Sequence, residues 1–329
     1  MPSTLRLAVA GLLALAFALP AAAQDAAQAW PKKTIRLIVP FTPGGSNDVL
    51  ARVLSQHLGK AWNQTVVVEN KPGAAGNIGA EFVARAPADG YTLLIAANNV
   101  LSVNPALYRL GFDPAKDFAP VSLLGTVPIV LVVNPDLPVK DLAQLVSYAK
   151  ANPARLNYAS SGTGSPQHLS AELFNKLAGV RMTHVPYKGA APAIADVSAG
   201  QVQVLFGPIN SVLPHIKSGK LRALAVAGES RTLLLPDVPT IAQAGYPAYR
   251  SDIWIGLVAP AGTPPDVVRQ INAETRTTLA DPAVIETLAQ QGIEAKASTP
   301  DTLGALAASD LTRWTDVIKS SGIVADQQP

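Results

Sequence analysis

The chain has 329 residues, 48% of them hydrophobic and only 15% charged, with a formal net charge of +3 and no cysteine. That balance excludes a disordered chain, and the missing cysteines exclude thiol catalysis, disulfides and a lipidated N-terminal cysteine. Lysines and arginines are scattered without a basic stripe or interleaved aromatics, so nucleic acid is not an expected partner.

The first 23 residues read as a secretory signal: Arg6 in the n-region, an apolar run from Leu7 to Leu19, and Ala21-Ala22-Ala23 before Gln24. A membrane anchor is disfavoured, because the run is about a dozen residues against the ~20 that span a bilayer. The expectation is a soluble, exported, periplasmic protein without a lipid anchor. The remaining chain is long enough for two ordinary domains.

Past residue 30, short apolar runs alternate with helical periodicity, the pattern of βαβ units. A predicted strand at 34–40 runs into Pro40-Phe41-Thr42-Pro43-Gly44-Gly45, and a predicted helix follows at 46–59. Glycines between strand end and helix start bare backbone N–H groups, and the first-turn amides with the helix dipole favour an anion. Ser46 and Asn47 are expected caps. Asp48 suits the same turn, where a carboxylate favours the dipole but would repel a nearby anion.

A strand at 65–69 leads to NKPGAAGNIGAEF, with Gly73, Gly76 and Gly79 ahead of a helix at 76–86. This is G-x-x-G-x-x-G rather than a dinucleotide fingerprint, and no G-x-x-x-x-G-K-[ST] loop occurs. It reads either as a tight turn with close helix–strand packing or as a ligand contact. The strand at 92–97 closes on Asn98 and Asn99, two further candidates at a strand's C-terminal end.

Residues 120–133 form an apolar stretch too long for one strand and broken by Gly125 and Pro128, as expected of a strand passing between domains. A helix at 141–151 precedes NYASSGTGSPQHLSAELF, which repeats the opening logic. A strand at 156–160 gives way to Ser160, Ser161, Gly162, Thr163, Gly164 and Ser165, then to a helix at 166–178 with Pro166 in its first turn. Ser165 and His168 lack the G-x-S-x-G elbow and an evident orienting acid, so a secreted hydrolase is a remote alternative. His168 reads as a pocket wall. The four histidines match no zinc spacing, and no metal or cofactor is expected.

Strands at 183–187 and 202–206 end at Tyr187-Lys188-Gly189 and Phe206-Gly207-Pro208, with helices at 191–199 and 211–218. Both are strand ends where ligands of open α/β sheets bind. Tyr187 is a candidate cleft residue, and Lys188 reads either as a partner for an acid or as a surface lysine. After a strand at 222–227 and the Pro/Gly-rich connection 236–251, a strand at 252–259 and helices at 264–280, 283–291 and 301–321 complete the chain. Two crossings make the first domain discontinuous; one large sheet is the competing reading.

PFTPGGSND, VVVENKPGAAGNIGAEFVARAPADGYTLL, DFAPVSLLG, NYASSGTGSPQHLSAELF, VPYKGAAPAIADVSAGQV, KLRALAVAGESR, PDVPTIAQAGYP and WIGLVAPAGTP occur in this order from Trp30 onward. Together they resemble the periplasmic substrate-binding proteins of tripartite tricarboxylate transporters, the Bug family. The resemblance implies an α/β, two-lobed type II periplasmic-binding-protein (Venus flytrap) fold. Each lobe would be a mainly parallel sheet flanked by helices, lobe 1 spanning 30–125 plus 249–329 and lobe 2 spanning 126–248, with two hinge crossings. It implies a non-enzymatic monomer that captures a small mono- or dicarboxylate for membrane permease subunits; a receptor that presents the acid to a sensor is the alternative.

Carried over by position, the first ligand loop falls on Phe41, Thr42, Pro43, Gly44 and Gly45, and the glycine loop on Gly73 to Gly79, with Gly76 at its centre. The second-lobe contacts fall on Ser160 to Ser165 with His168. Where many relatives carry Asp or Asn, this chain has Gly207-Pro208 followed by Asn210, which makes an amino-acid ligand less expected than a simple carboxylate. Gln243 stands where relatives usually carry Glu.

Overall fold

The computed structural model describes residues 30–153, 155–187 and 189–324; the signal reading of 1–23 and the candidate Lys188 lie outside them. Residues from Lys33 onward pack as one unit. The elements are β1 (Ile35–Val39), α1 (Ser46–Trp62), β2 (Val66–Asn70), α2 (Asn77–Ala84), β3 (Thr92–Ala97) and α3 (Asn104–Leu107). They continue through β4 (Phe118–Val127), β5 (Ile129–Val133), α4 (Leu142–Ala151), β6 (Asn157–Ser160), α5 (Pro166–Ala178), β7 (Thr183–Pro186), α6 (Ala190–Ser198) and β8 (Val204–Pro208). The last are α7 (Ile209–Lys217), β9 (Arg222–Val226), β10 (Ile253–Pro260), α8 (Pro265–Ala280), α9 (Pro282–Gln290), β11 (Glu294–Ala295) and α10 (Pro300–Ser321).

Two sheets result, in the orders β11-β4-β10-β3-β1-β2 and β7-β6-β8-β5-β9. Inner strands such as β3 and β5 are buried along their whole length and almost wholly apolar, because both their faces are covered. β4 belongs to the first sheet and β5 to the second, with only Pro128 between them. A proline has no N–H to give a ladder, which suits the one residue belonging to neither sheet. The return is made between β9 and β10, where the Ser251 amide donates to the Ala227 carbonyl at 3.0 Å.

The expectation of mainly parallel sheets needs correction: the sheets are mixed. β1 is parallel to β2 and β3, but β10 is antiparallel to β3 and to β4. Likewise β6 is parallel to β7 and β8, but β5 is antiparallel to β8 and β9. The reason is the crossing itself. Apart from the short edge strand β11, strands fed by a helix from the same lobe run toward the hinge, whereas β5 and β10 enter from the hinge and run away from it. The short β11, absent from the sequence reading, adds an antiparallel edge to β4.

One lobe is centred on Ile38, Leu94, Ala96, Val100, Trp254 and Leu303, the other on Ile129, Leu131, Phe174, Phe206 and Leu224. The end of α10 does not stay with the first sheet. Trp314, Val317 and Ile318 are buried in the core beneath the second. α10 therefore ties the lobes together beside the two strand crossings.

Candidate functional site

The loops after β1, β2 and β3 gather at one end of the first sheet. Gly45 is the N-cap of α1, extended at φ −79° and ψ 170°, and no side chain caps the helix. The expected caps are otherwise engaged. Asn47 donates from Nδ2 to the Ile95 carbonyl (3.0 Å), and the Ser46 Oγ accepts from Asn210 Nδ2 (3.3 Å). Val49 makes the first helical bond, to the Gly45 carbonyl at 3.0 Å. Among the described residues, the amides of Ser46, Asn47 and Asp48 donate to no protein acceptor.

Asp48 does not compete for those amides. Its carboxylate accepts from the Gly44 amide (3.0 Å), Arg52 Nε (2.8 Å) and Asn70 Nδ2 (3.0 Å). Burial works to raise its pKa, but bonds from Arg52, Gly44 and Asn70 outweigh it and hold the group below the usual carboxylate range. Asn70, which the sequence reading overlooked, also donates to the Phe41 carbonyl at 3.1 Å. It pins the loop from the end of β2, and its place at a strand's C-terminal end was the available signal.

The glycine loop backs this arrangement. A Cβ on Gly76 (φ +92°) would lie 2.8 Å from Val100 and 3.2 Å from the Phe41 ring, so only glycine lets that ring seat here. A Cβ on Gly79 would lie 2.8 Å from the Lys71 carbonyl, which makes this position one of close helix–strand packing. Ala74 and Ala75 sit at φ +46° and +55°, in the left-handed region. The Ala75 carbonyl accepts from Asn99 Nδ2 (2.9 Å) and Asn104 Nδ2 (3.1 Å), bonds that hold the strained turn. Asn98 donates from Nδ2 to the Asp252 carbonyl at 3.0 Å; its Oδ1 is buried without a partner.

The corresponding loop of the second lobe is tied to itself. Ser165 caps α5, accepting from the His168 amide at 3.4 Å. The Gly162 amide donates to Ser160 Oγ (3.1 Å), and the Gly164 amide to His168 Nδ1 (3.0 Å). Ser161 Oγ donates to Gln167 Oε1 at 2.9 Å. His168 stacks on His184 with centroids 3.8 Å apart, and the His184 Nε2 bonds Ser160 Oγ at 2.6 Å. Burial, then the neighbouring His184, lowers the His168 pKa to about 3, so the ring is neutral and its Nδ1 is free to accept. His168 Nδ1 thus serves the Gly164 amide rather than the Ser165 hydroxyl, which is no nucleophile–base pair. The sequence reading missed His184, whose place inside a predicted strand gave no signal.

Tyr187 donates its hydroxyl to Asp196 at 2.7 Å; burial, then that bond, pushes its pKa up to about 12. Gly207 is buried with Val212 packed against it, so the turn into α7 has no room for a side chain. Asn210 is exposed at the start of α7. It reaches Ser46, and its Cβ and amide crowd the turn at Gly292, so two lobes meet here. They meet again where Leu107 lies 2.6 Å from the place of a Cβ on Gly164. The structure therefore brings the Ser46 end of the first loop to Asn210, and the 160–165 loop to Leu107. Beside the hinge, a cavity of about 90 Å³ is lined by Glu229, Arg250, Asp252, Lys296, Asp310 and Arg313. Burial pushes the Asp252 pKa up to about 6.

A match to the "Tripartite tricarboxylate transporter family receptor" model extends over residues 50–323. The chain belongs to this family. Protein BugT of Bordetella pertussis is 39% identical over 303 residues, covering 92% of this chain and 93% of the relative. Two solved relatives share the two-lobed fold. The R. palustris Rpa4515 structure with adipate is 38% identical, with a TM-score of 0.79, and covers 91% of this chain and 100% of its own. MatC of Rhodopseudomonas palustris with bound malate is 34% identical, with a TM-score of 0.74, covering 88% and 100%. The family is one of solute-binding receptors rather than enzymes. Among the described residues no helix is long and apolar enough to cross a membrane.

The Gln243 departure has a physical account. Thr240 Oγ1 accepts from the Gln243 amide (3.0 Å), and Gln243 Oε1 accepts from the Thr240 amide (3.2 Å). This is the reciprocal pairing of a capping box, made here on the turn at 240–245, and a Gln side-chain oxygen closes it as well as a Glu oxygen would.

Proposed function

We propose that this family member is a periplasmic receptor that closes on a small mono- or dicarboxylate and delivers it to the membrane subunits of a tripartite transporter. The lobes span 30–125 with 249–329 and 126–248, and the chain acts as a monomer. The observation that carries the reading is the start of α1: three consecutive amides without protein acceptors, at the positive end of a 17-residue helix, facing Asn210 of the other lobe. A hydrogen bond to a charged group contributes roughly 1.5–3 kcal/mol, so a few account for about micromolar affinity. Phe41 to Gly45, Gly76, Asn98 and Asn99 form one wall; Ser160 to Ser165, His168, Tyr187, Gly207 and Asn210 form the other. The relatives bound to adipate and malate support a carboxylate as the ligand class.

Thermal unfolding against a panel of aliphatic, aromatic and amino acids tests the reading. A ligand at 100 times its Kd adds about 2.7 kcal/mol of stability. Stabilisation by at least one carboxylate, and not by its amide, is expected; a panel in which no acid raises the Tm overturns the proposal.

A further inference from the structure

Asn98 has one satisfied end and one that is not. Its amide orientation is fixed, because the Asp252 carbonyl can only accept and Nδ2 donates to it at 3.0 Å. Oδ1 is thereby committed as the free acceptor, on a side chain that is 97% buried by its 3% exposure, and no donor reaches it. Its neighbour Asn99 likewise donates from Nδ2, to the Ala75 carbonyl, but that side chain is only half-buried, so the contrast between the two residues is one of burial. Asn98 directly follows β3, at the carboxyl end of the sheet where the first-lobe loops gather, and it is bonded to the residue that begins the return from the second lobe. The lobes are in contact in this arrangement, through Ser46 and Asn210.

A buried acceptor without a donor is costly unless something else supplies the donor. We infer that Asn98 Oδ1 is the specificity-determining acceptor for a hydroxyl on the ligand, and that the preferred ligand is a hydroxycarboxylate rather than a plain acid. This rests on the carboxylate reading above. A carboxylate cannot meet the requirement, since ionised oxygens only accept. An ammonium meets it less well, because it brings a charge to a neutral amide. Oδ1 is shut from water in this arrangement, in which the lobes touch, so a hydroxyl bound to it would contribute chiefly in the closed form. It is a differential interaction of the kind that shifts a hinge equilibrium. The first loop takes the charge, and Asn98 reads what lies beside it.

The test is titration calorimetry with succinate, glutarate and adipate, each beside its 2-hydroxy counterpart, on the wild type, Asn98→Leu and Asn98→Asp. In the wild type the hydroxy acid of at least one pair is expected to bind at least about tenfold tighter. Asn98→Leu, which keeps the volume and removes the acceptor, should erase that ratio, while Asn98→Asp, which keeps an acceptor, should retain a preference. Equal binding within every wild-type pair, or a ratio preserved in a folded Asn98→Leu, overturns the inference and leaves the carboxylate reading standing. Absence of binding by all six acids and by the wider panel overturns both. If Asn98→Leu fails to fold, Asn98→Asp carries the test of the residue, and equal binding within every wild-type pair still overturns the inference.

Discussion

The loop after β1 and the loop after β6 follow one plan, strand to glycine-rich turn to helix, yet they finish in opposite chemical states. In the first, the side chains point away from the helix start. Asn47 bonds Ile95, Asp48 serves Gly44 and Arg52, and three first-turn amides are left over. In the second, Ser165 caps the helix, Pro166 brings no N–H, and Ser160 and His168 take up the amides of Gly162 and Gly164. The hydrogen-bonding capacity that a cradle would offer is spent there on rigidity. On the proposed reading, one jaw offers open amides to an anion, and the other is a stiff wall. A trap built this way takes its charge at one end.

The largest effect that would break this contrast is on stability, in the second loop. His168→Ala removes a buried ring stacked on His184 and leaves the Gly164 amide without its acceptor. Chemical denaturation should show a loss of about 3 kcal/mol, the sum of a cavity and an orphaned donor. A loss under about 1 kcal/mol, at the level of an ordinary surface change, would show that the loop is not held by its imidazoles.

Next is Ser46→Pro. Proline is accepted at the first helical position, and Gly45 already has the extended backbone that a residue before proline adopts. The substitution deletes one open amide, and with the hydroxyl the bond from Asn210, without disturbing the helix, so Ser46→Ala, which loses the hydroxyl alone, is its reference. Carboxylate affinity should fall about 10- to 100-fold, the worth of one charge-assisted bond, with the Tm nearly unchanged. Unaltered affinity would move the charge site away from α1.

Which amides are open could not be read from the sequence, although the loops themselves could. Alternating apolar runs and helical periodicity located β1 to β10 and the long helices, because burial patterns are local. The use of an amide depends on side chains far along the chain: Asn210 reaches Ser46 from 164 residues away, and Asn47 reaches Ile95 from 48. Composition equally could not announce that α10 ends in the other lobe's core. An amphipathic stripe says that Trp314, Val317 and Ile318 are buried, not against what. His184 hid for the converse reason: strand alternation explained it without any appeal to its ring.

The third effect is on pH dependence and separates the hinge from the second loop. Asp252 has a folded pKa near 6 against an ordinary 3.8. Its contribution to stability is therefore present below pH 3.8 and lost as pH rises through 6. His168 runs the other way: lowered to about 3 from 6.5, its contribution is present above pH 6.5 and lost as pH falls toward 3. Asp252→Asn should stabilise the protein by about 1–2 kcal/mol at pH 7 and by almost nothing at pH 4, since a neutral group then replaces a neutral group. Denaturation curves at both values check the sign. Equal stabilisation at the two would mean that the charge of Asp252 is not what strains the hinge.

The smallest effect concerns the contact between the jaws. Asn210→Ala removes the bond to Ser46 but leaves every α1 amide in place. Exposed hydrogen bonds of this length contribute at most about 1 kcal/mol, so affinity should fall no more than about fivefold. That loss should appear in the dissociation rate, because the contact exists only when the lobes are together. Ser46→Ala should reproduce it, and the double variant should be no worse than either single one, as for two ends of one bond. Additive losses would mean that each side chain meets the ligand separately, and the second jaw would then take part in binding rather than stand as a wall.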